Sequence, residues 1–229
     1  TEETDGYYLL ITQADNNDNY ATSKFMASSQ EGCFYLEKRG TIQSTLPLTT
    51  PWRVVMLGDL PTIMESTIVD NLNPATSIQD LSWIKPGRVS WSWGGEDASA
   101  EAASSFEVIK KYIDLAHSMN WEYCLLDEGW EYSKADYTLK EAIDYANSKN
   151  VGLFVWSGSG RFPNDEAQIR NILSPWKQAG VKGIKLDFFN SDKQEMMSKY
   201  EKLYKVSGEL ELILNLHGCT KPSGRVRTW

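Results

Sequence analysis

From Arg88 onward, short apolar runs recur about every thirty residues with an amphipathic stretch between each pair, and this rhythm limits the fold more than anything else in the chain. The runs are VSWSW (89–93), YCLLD (123–127), VGLFVWS (151–157), GIKLDFF (183–189) and LELILNLHG (210–218). Helical periodicity is expected over 99–119, where Phe106, Ile109, Ile113 and Ala116 share a stripe, then around TLKEAIDYANSKN, over 166–179 and over 192–206. Strands apolar on both faces belong in a parallel sheet covered by helices. A thirty-residue period is the size of one βαβ unit. Right-handed repeats of that unit make an open doubly wound sheet or a closed barrel. No glycine-rich phosphate loop follows the first run, which disfavours a dinucleotide-binding sheet. The expected class is therefore α/β, a partial (β/α)8 TIM-type barrel. Five strands are present where a complete barrel takes eight strands and about 250 residues.

The first 59 residues have a different rhythm. YYLLIT, GCFYLEK and WRVVML read as strands separated by Asn, Asp, Ser and Gly. The polar run 14–29 reads as a loop, and 60–88, with Pro61, Pro74 and Pro86, as an irregular linker. The expected division is thus 1–59, a linker over 60–88, and a barrel portion over 89–229. The formal net charge of −8 argues against nucleic acid, because phosphate binding needs a basic face. No run of about 18 apolar residues is present, so no membrane partner is expected. Three cysteines (Cys33, Cys124, Cys219) fit no zinc spacing and read as small buried hydrophobes, while two histidines are too few for the usual zinc constellations. Nine tryptophans and eleven tyrosines are many for this length; filling a core accounts for most of them, less easily for those at strand ends. Aromatic faces at strand ends would suit the C–H surfaces of a sugar.

Active sites of such barrels lie at the C-terminal ends of the strands. Trp91 and Trp93, Asp127, Glu128 and Trp130, Trp156, Lys185 and Asp187, and Asn215 and His217 collect there. Alternation puts Lys185 and Asp187 on one face of their strand and Leu186 on the other. A carboxylate inside an apolar strand is costly unless paired or used. A positive neighbour would keep it ionised, as a nucleophile requires; a structural ion pair would satisfy it equally. Asp127-Glu128-Gly129-Trp130 reads as a hydroxyl-binding cluster with Trp130 as a stacking wall, or as an acidic pair at a helix N-terminus. His217 is a hydroxyl donor or a satisfied core histidine. His117, late in a helix, suits a C-terminal-turn cation. Cys124 and Cys219 lie near strand ends without a histidine partner, which speaks against a cysteine nucleophile.

The ordered series TPWRVVMLGD, NLNP, SWIKPGRVSWSW, LLDEGW, GIKLDFFNSD and NLHGCTKPSGRVRTW resembles glycoside hydrolase family 97 over nearly the whole chain. The resemblance implies an N-terminal β-sandwich, a catalytic (β/α)8 barrel and a calcium ion at the active site. Residues 1–59 would then be the C-terminal part of the sandwich. Related α-galactosidases carry a nucleophilic Asp in a Lys-x-Asp string on the fourth strand and an acidic-Trp motif on the second. Lys185, Asp187 and Asp127 match those positions, and Trp91 matches a sugar wall on the first strand.

The family divides into inverting α-glucosidase-like and retaining α-galactosidase-like members. Inverting members lack the fourth-strand Asp and carry a Glu after the fifth-strand His. Here Asp187 is present and Gly218 follows His217, so the resemblance implies the retaining branch. The expected activity is hydrolysis of terminal α-glycosidic bonds, most readily α-galactosides, in an oligosaccharide substrate. Asp187 would form a covalent glycosyl-enzyme, and Trp91, Asp127, Lys185 and His217 would bind the sugar. The alternatives are an inverting α-glucosidase and a carbohydrate-binding domain without activity. The acid/base Glu and most calcium ligands are expected beyond Trp229, and the location to be periplasmic or secreted.

Overall fold

The computed structural model describes residues 3, 4 and 6–229. In chain order its elements are β1 (Glu3–Thr4), β2 (Tyr7–Ala14), β3 (Ser23–Ala27), β4 (Phe34–Lys38), β5 (Trp52–Gly58), α1 (Leu60–Met64), α2 (Ile68–Asn71), β6 (Val89–Trp91), α3 (Ala100–Ala103), α4 (Phe106–Ser118), β7 (Tyr123–Leu126), α5 (Leu139–Ser148), β8 (Gly152–Gly158), α6 (Glu166–Ala179), β9 (Gly183–Asp187), α7 (Gln194–Glu209) and β10 (Ile213–Leu216). They fall into two compact units. One takes the chain up to Gln79 together with Ser191–Leu203 and Thr220–Trp229, and the other takes Asp80–Asn190 and Tyr204–Cys219.

The first unit is antiparallel. β2 lies between β1 and β5, and its ladder with β5 runs from Tyr8 opposite Gly58 to Ala14 opposite Trp52. β3 and β4 form a separate hairpin, from Ser23 opposite Lys38 to Ala27 opposite Phe34. Residues 23–27 were expected to be loop, and here the structure corrects the sequence reading. Phe25 and Met26 are adjacent and both exposed, so no alternation marks the segment; pairing with β4 makes it a strand. The stretch expected to be an irregular linker contains α1 and α2. Asp59 caps α1 by accepting from the Thr62 N–H at 2.8 Å, and Pro61 sits in the first turn, where proline starts a helix rather than breaking one. The unit also holds a partly buried ion cluster. The Arg225 guanidinium reaches Glu201 at 2.7 Å (Nε to Oε1) and 2.5 Å (Nη2 to Oε2), and Asp15 at 2.9 Å.

The second unit is a five-stranded all-parallel sheet in the order β6-β7-β8-β9-β10. Sequential neighbours in a parallel sheet, each joined through helical connections, are the first five strands of a (β/α)8 arrangement. β7 and β9 are buried along their whole length, whereas the edge strands β6 and β10 are only partly covered. One face carries Cys124, Leu126, Val155, Ile184 and Leu186, all fully buried. The other carries a cluster of Tyr123, Leu125 and Phe154 with Trp156 and Ile213 packed against it.

The helices follow local rules. Thr138 forms a capping box on α5 with Glu141, and Gly180 ends α6 at φ 112°. The helix expected over 99–119 is two helices. Ser104 folds its hydroxyl back onto the Glu101 carbonyl at 2.7 Å, and Asp136 accepts from the Phe106 N–H at 2.6 Å, starting α4 afresh. VSWSW is a strand only as far as Trp91, because Ser92–Gly94 turn into a 3-10 segment. Of the three cysteines only Cys124 is fully buried; Cys33 is partly covered and Cys219 exposed. Burial alone therefore does not account for all three. No helix among the described residues is long and apolar enough to cross a membrane.

Candidate active site

The register of the parallel sheet decides which side chains meet. Trp91 pairs with Leu125, Trp156 with Lys185, Gly158 with Asp187, and Lys185 with Asn215. Side chains alternate along a strand, so Trp91, Asp127, Trp156, Lys185, Asp187 and His217 lie on one face at the C-terminal ends. All five residues singled out as site candidates (Trp91, Asp127, Lys185, Asp187, His217) are brought together.

Lys185 is the hub. Its side chain is 7 % exposed, and Nζ donates to Asp127 Oδ2 at 2.8 Å while lying 4.0 Å from Asp187 Oδ2. The same ammonium sits over the Trp91 ring, 4.4 Å from its centroid. Asp127 is largely engaged by protein: Oδ2 also accepts from Trp91 Nε1 at 2.5 Å, and Oδ1 accepts from the Glu128 N–H at 2.7 Å. Only one of about four lone-pair sites on this carboxylate is left for a ligand. Lys185 keeps donors to spare.

Asp187 is held differently. Oδ1 accepts from the Phe188 N–H at 2.7 Å, and Oδ2 lies 2.9 Å from His217 Nδ1. Burial alone would push this carboxyl up. The His217 hydrogen bond, the Phe188 N–H and the charge and indole of His217 and Trp156 outweigh that, so its pKa lies below the ordinary carboxylate value. The sequence pointed to Lys185 as the group that keeps Asp187 ionised. In the structure Lys185 bonds Asp127, and His217 with the Phe188 N–H performs that task. His217 is no core histidine, because its side chain is 58 % exposed.

Two further readings change. Trp130 is buried, donates its indole N–H to the Trp156 carbonyl at 2.9 Å and packs edge-on against Trp176. It supports the floor beneath Trp156 and is no stacking wall. No helix starts at Asp127 or Glu128, since the next one begins at Leu139, so the helix-terminus reading of that pair falls. His117 does lie in the last turn of α4, with Nδ1 2.9 Å from the Lys149 carbonyl. Burial pushes the Cys124 thiol up to about 12, which keeps it protonated.

Sequence reasoning missed Phe188. It takes φ 61° and is 56 % exposed, with its ring edge-on to Trp156 at 6.1 Å. A bulky residue in the left-handed region is uncommon, and such conformations cluster at functional sites. Nothing in the string LDFFN marks it.

Calcium prefers six to eight oxygen ligands. Among the described residues no group of three or more His, Cys, Asp and Glu stands close enough to hold a metal, and Asp127 and Asp187 are already engaged by protein donors. These side chains do not compose a calcium site among themselves.

Comparison with known proteins bears on the family and the fold. The family model of glycoside hydrolase 97 matches residues 83–229, and that of the glycosyl-hydrolase 97 N-terminal region matches residues 1–74. A probable retaining alpha-galactosidase of Streptomyces bingchenggensis is 31 % identical over 99 % of this chain and 37 % of its own length. A retaining alpha-galactosidase of Bacteroides thetaiotaomicron is 36 % identical over 80 % of this chain and 29 % of its own. The crystal structure of a beta-arabinopyranosidase superposes with a TM-score of 0.86 at 27 % identity, covering 96 % of this chain and 38 % of that one. A family 97 enzyme from Pseudoalteromonas sp. strain K8 shares the fold, with a TM-score of 0.83 at 20 % identity over 99 % of this chain and 41 % of that chain. The chain thus spans well under half the length of each relative. With both family models matched in order along it, this chain belongs to glycoside hydrolase family 97.

Proposed function

We propose that this chain carries the nucleophile and the sugar-orienting groups of a retaining α-glycosidase acting on α-galactosides. The observation that carries the reading is the setting of Asp187. It is a carboxylate almost out of solvent at a strand C-terminus, with the Phe188 N–H and His217 favouring its ionised form and the Lys185 ammonium 4.0 Å away, beyond hydrogen-bond reach. Such a group can attack an anomeric carbon. In the first step Asp187 Oδ bonds to that carbon while the glycosidic C–O bond breaks and the leaving oxygen takes a proton from a general acid. In the second, water deprotonated by the same acid/base group displaces Asp187. Retention needs that partner about 5 Å from the nucleophile. Lys185, through its spare donors, would hold ring hydroxyls, and Trp91, 36 % exposed, would face the sugar's C–H surface.

The named relatives support galactosides: both curated ones are described as retaining alpha-galactosidases. A second reading has its own observation, the beta-arabinopyranosidase neighbour. A β-L-arabinopyranoside has the ring stereochemistry of an α-D-galactopyranoside without the hydroxymethyl group, so one site geometry could take either. Comparing turnover of the two p-nitrophenyl glycosides by the full-length protein decides between them.

The nucleophile is tested with Asp187→Gly in the full-length protein. Turnover should fall on the order of 10⁴-fold or more, and azide should restore it by attacking the anomeric carbon to give the β-glycosyl azide. Wild-type turnover by this variant would refute the assignment. A first-formed product of inverted configuration, read by NMR, would favour the inverting alternative.

A further inference from the structure

Gly218, the residue after His217, adopts φ 51°. A Cβ built on it would lie 2.6 Å from Asp187 Oδ1 and 3.1 Å from the Phe188 nitrogen. Real Cβ atoms do not approach so closely, so something would have to move. The atom in the way is the end of a side chain, which often yields at little cost. This one cannot swing freely. Its two oxygens are each engaged, Oδ1 by the Phe188 N–H and Oδ2 by His217, and its side chain is only 7 % exposed. The backbone is fixed as well. The Phe189 N–H donates to the Gly218 carbonyl at 3.1 Å, and the His217 N–H donates to the Leu186 carbonyl at 2.8 Å. These bonds lock the segment after β10 beside the segment after β9. Residue 218 and the Asp187 carboxylate therefore occupy one small volume that cannot hold both a Cβ and the carboxylate in its present orientation.

We propose that Gly218 is a positioning residue for Asp187: the absence of a side chain there reserves the space in which the carboxylate is held between the Phe188 N–H and His217. The proposal rests on the reading of Asp187 as nucleophile for its catalytic meaning, but its steric core does not. Any side chain at 218 should turn the carboxylate away from both partners. Misplacing a reacting atom by about 1 Å can cost on the order of 100-fold in rate.

The test is a double-mutant cycle in the full-length protein with Gly218→Ala, Asp187→Gly and both together. Gly218→Ala should lower kcat on the order of 100-fold with KM little changed. The acidic limb of its kcat/KM profile should move to higher pH, because the carboxylate has left the two partners that favour ionisation. A positive-φ alanine also carries a backbone cost, which could destabilise the fold by itself. That cost is common to both backgrounds and cancels in the cycle. The urea midpoint should therefore drop more when Gly218→Ala is made in the wild type than when it is made in Asp187→Gly. Azide rescue of the double variant should match that of Asp187→Gly. Additive urea midpoints, or a Gly218→Ala enzyme with wild-type kcat and acid limb, would overturn the positioning role alone. Full turnover by Asp187→Gly without azide would instead remove the nucleophile reading, and the catalytic meaning of Gly218 with it.

Discussion

Each of the two units sets a basic side chain between two carboxylates, buried in the parallel unit and partly buried in the antiparallel one, and the two clusters differ in one further informative respect. In the antiparallel unit Arg225 faces Asp15 and Glu201, and its planar fork is spent on them, two parallel bonds to Glu201 and one to Asp15. In the parallel unit Lys185 faces Asp127 and Asp187, bonds the first at 2.8 Å and stays 4.0 Å from the second. Formal charge is the same in both. The Arg225 cluster is closed, with complementary geometry between donors and acceptors, which is what a buried ion pair needs to hold a fold together. The Lys185 cluster is open at the strand ends, with donors to spare on the ammonium and a partly exposed histidine on Asp187. A buried charge cluster by itself is thus no sign of an active site. Unspent hydrogen-bonding capacity at the sheet's C-terminal edge is the distinguishing property.

The comparison breaks most visibly if the two clusters respond alike to loss of one carboxylate charge. Asp187→Asn keeps size and shape, and turnover should fall on the order of 10⁴-fold while the fold survives. Asp15→Asn should leave the turnover of folded protein unchanged and cost about 1 kcal/mol of stability, as for a weakened charge-assisted hydrogen bond. Steady-state kinetics and urea unfolding of both variants check this pair. Equal kinetic loss would mean that both clusters act in catalysis.

Removing the cation instead should hurt both folds. Lys185→Met leaves the buried Asp127 carboxylate without its cation, at about 3–5 kcal/mol, and Arg225→Met leaves the partly buried Glu201 and Asp15 without theirs, at the lower end of that range. Only Lys185→Met should also reduce turnover per folded molecule, because only that ammonium has donors left for substrate. A milder change separates indole from wall. Trp91→Phe keeps an aromatic face but removes the N–H that Asp127 accepts at 2.5 Å, at about 1.5–3 kcal/mol for a bond to a charged group. A larger effect on stability than on KM is expected. The reverse would make Trp91 chiefly a sugar contact.

How much of this was legible in the sequence follows the same division. The parallel strands announce themselves because burial on both faces demands apolar runs such as YCLL and VGLFVW, and their order follows from sequential βα units. The hairpin strand Ser23–Ala27 did not, since its side chains are mostly exposed and no alternation marks it. The break between α3 and α4 was hidden because the capping acceptor, Asp136, is thirty residues away from Phe106. For the site, period-two alternation was enough to put Lys185 and Asp187 on one face. It could not say which carboxylate the lysine would choose, because that depends on Asp127, fifty-eight residues away. Nor could it reveal the positive φ of Phe188 or the space beside Gly218, which are properties of two adjacent strand ends.

The smallest expected effect concerns protons. Asp187 has a pKa below the ordinary carboxylate value: burial pushes it up, and the His217 hydrogen bond and Phe188 N–H more than offset that. A carboxyl lowered in the folded state contributes stability above its unfolded value, near 4, and that contribution disappears as pH falls through the lower folded value. His217→Ala removes the largest of the lowering contacts, and its charge, while the Phe188 N–H and the Trp156 indole remain. The Asp187 pKa should then rise, and the acid limb of kcat/KM, which reports the free enzyme's essential carboxylate, should move to higher pH. The plateau rate should change far less than in Asp187→Asn, because the nucleophile itself is intact. Stability should fall by a constant amount at every pH above the unfolded value, near 4, and this loss should shrink as pH drops below it, with no change in slope above neutrality from this pair. If the limb stays in place, His217 is not what keeps Asp187 ionised, and Lys185 at 4.0 Å becomes the candidate that Lys185→Met must then expose through the same profile.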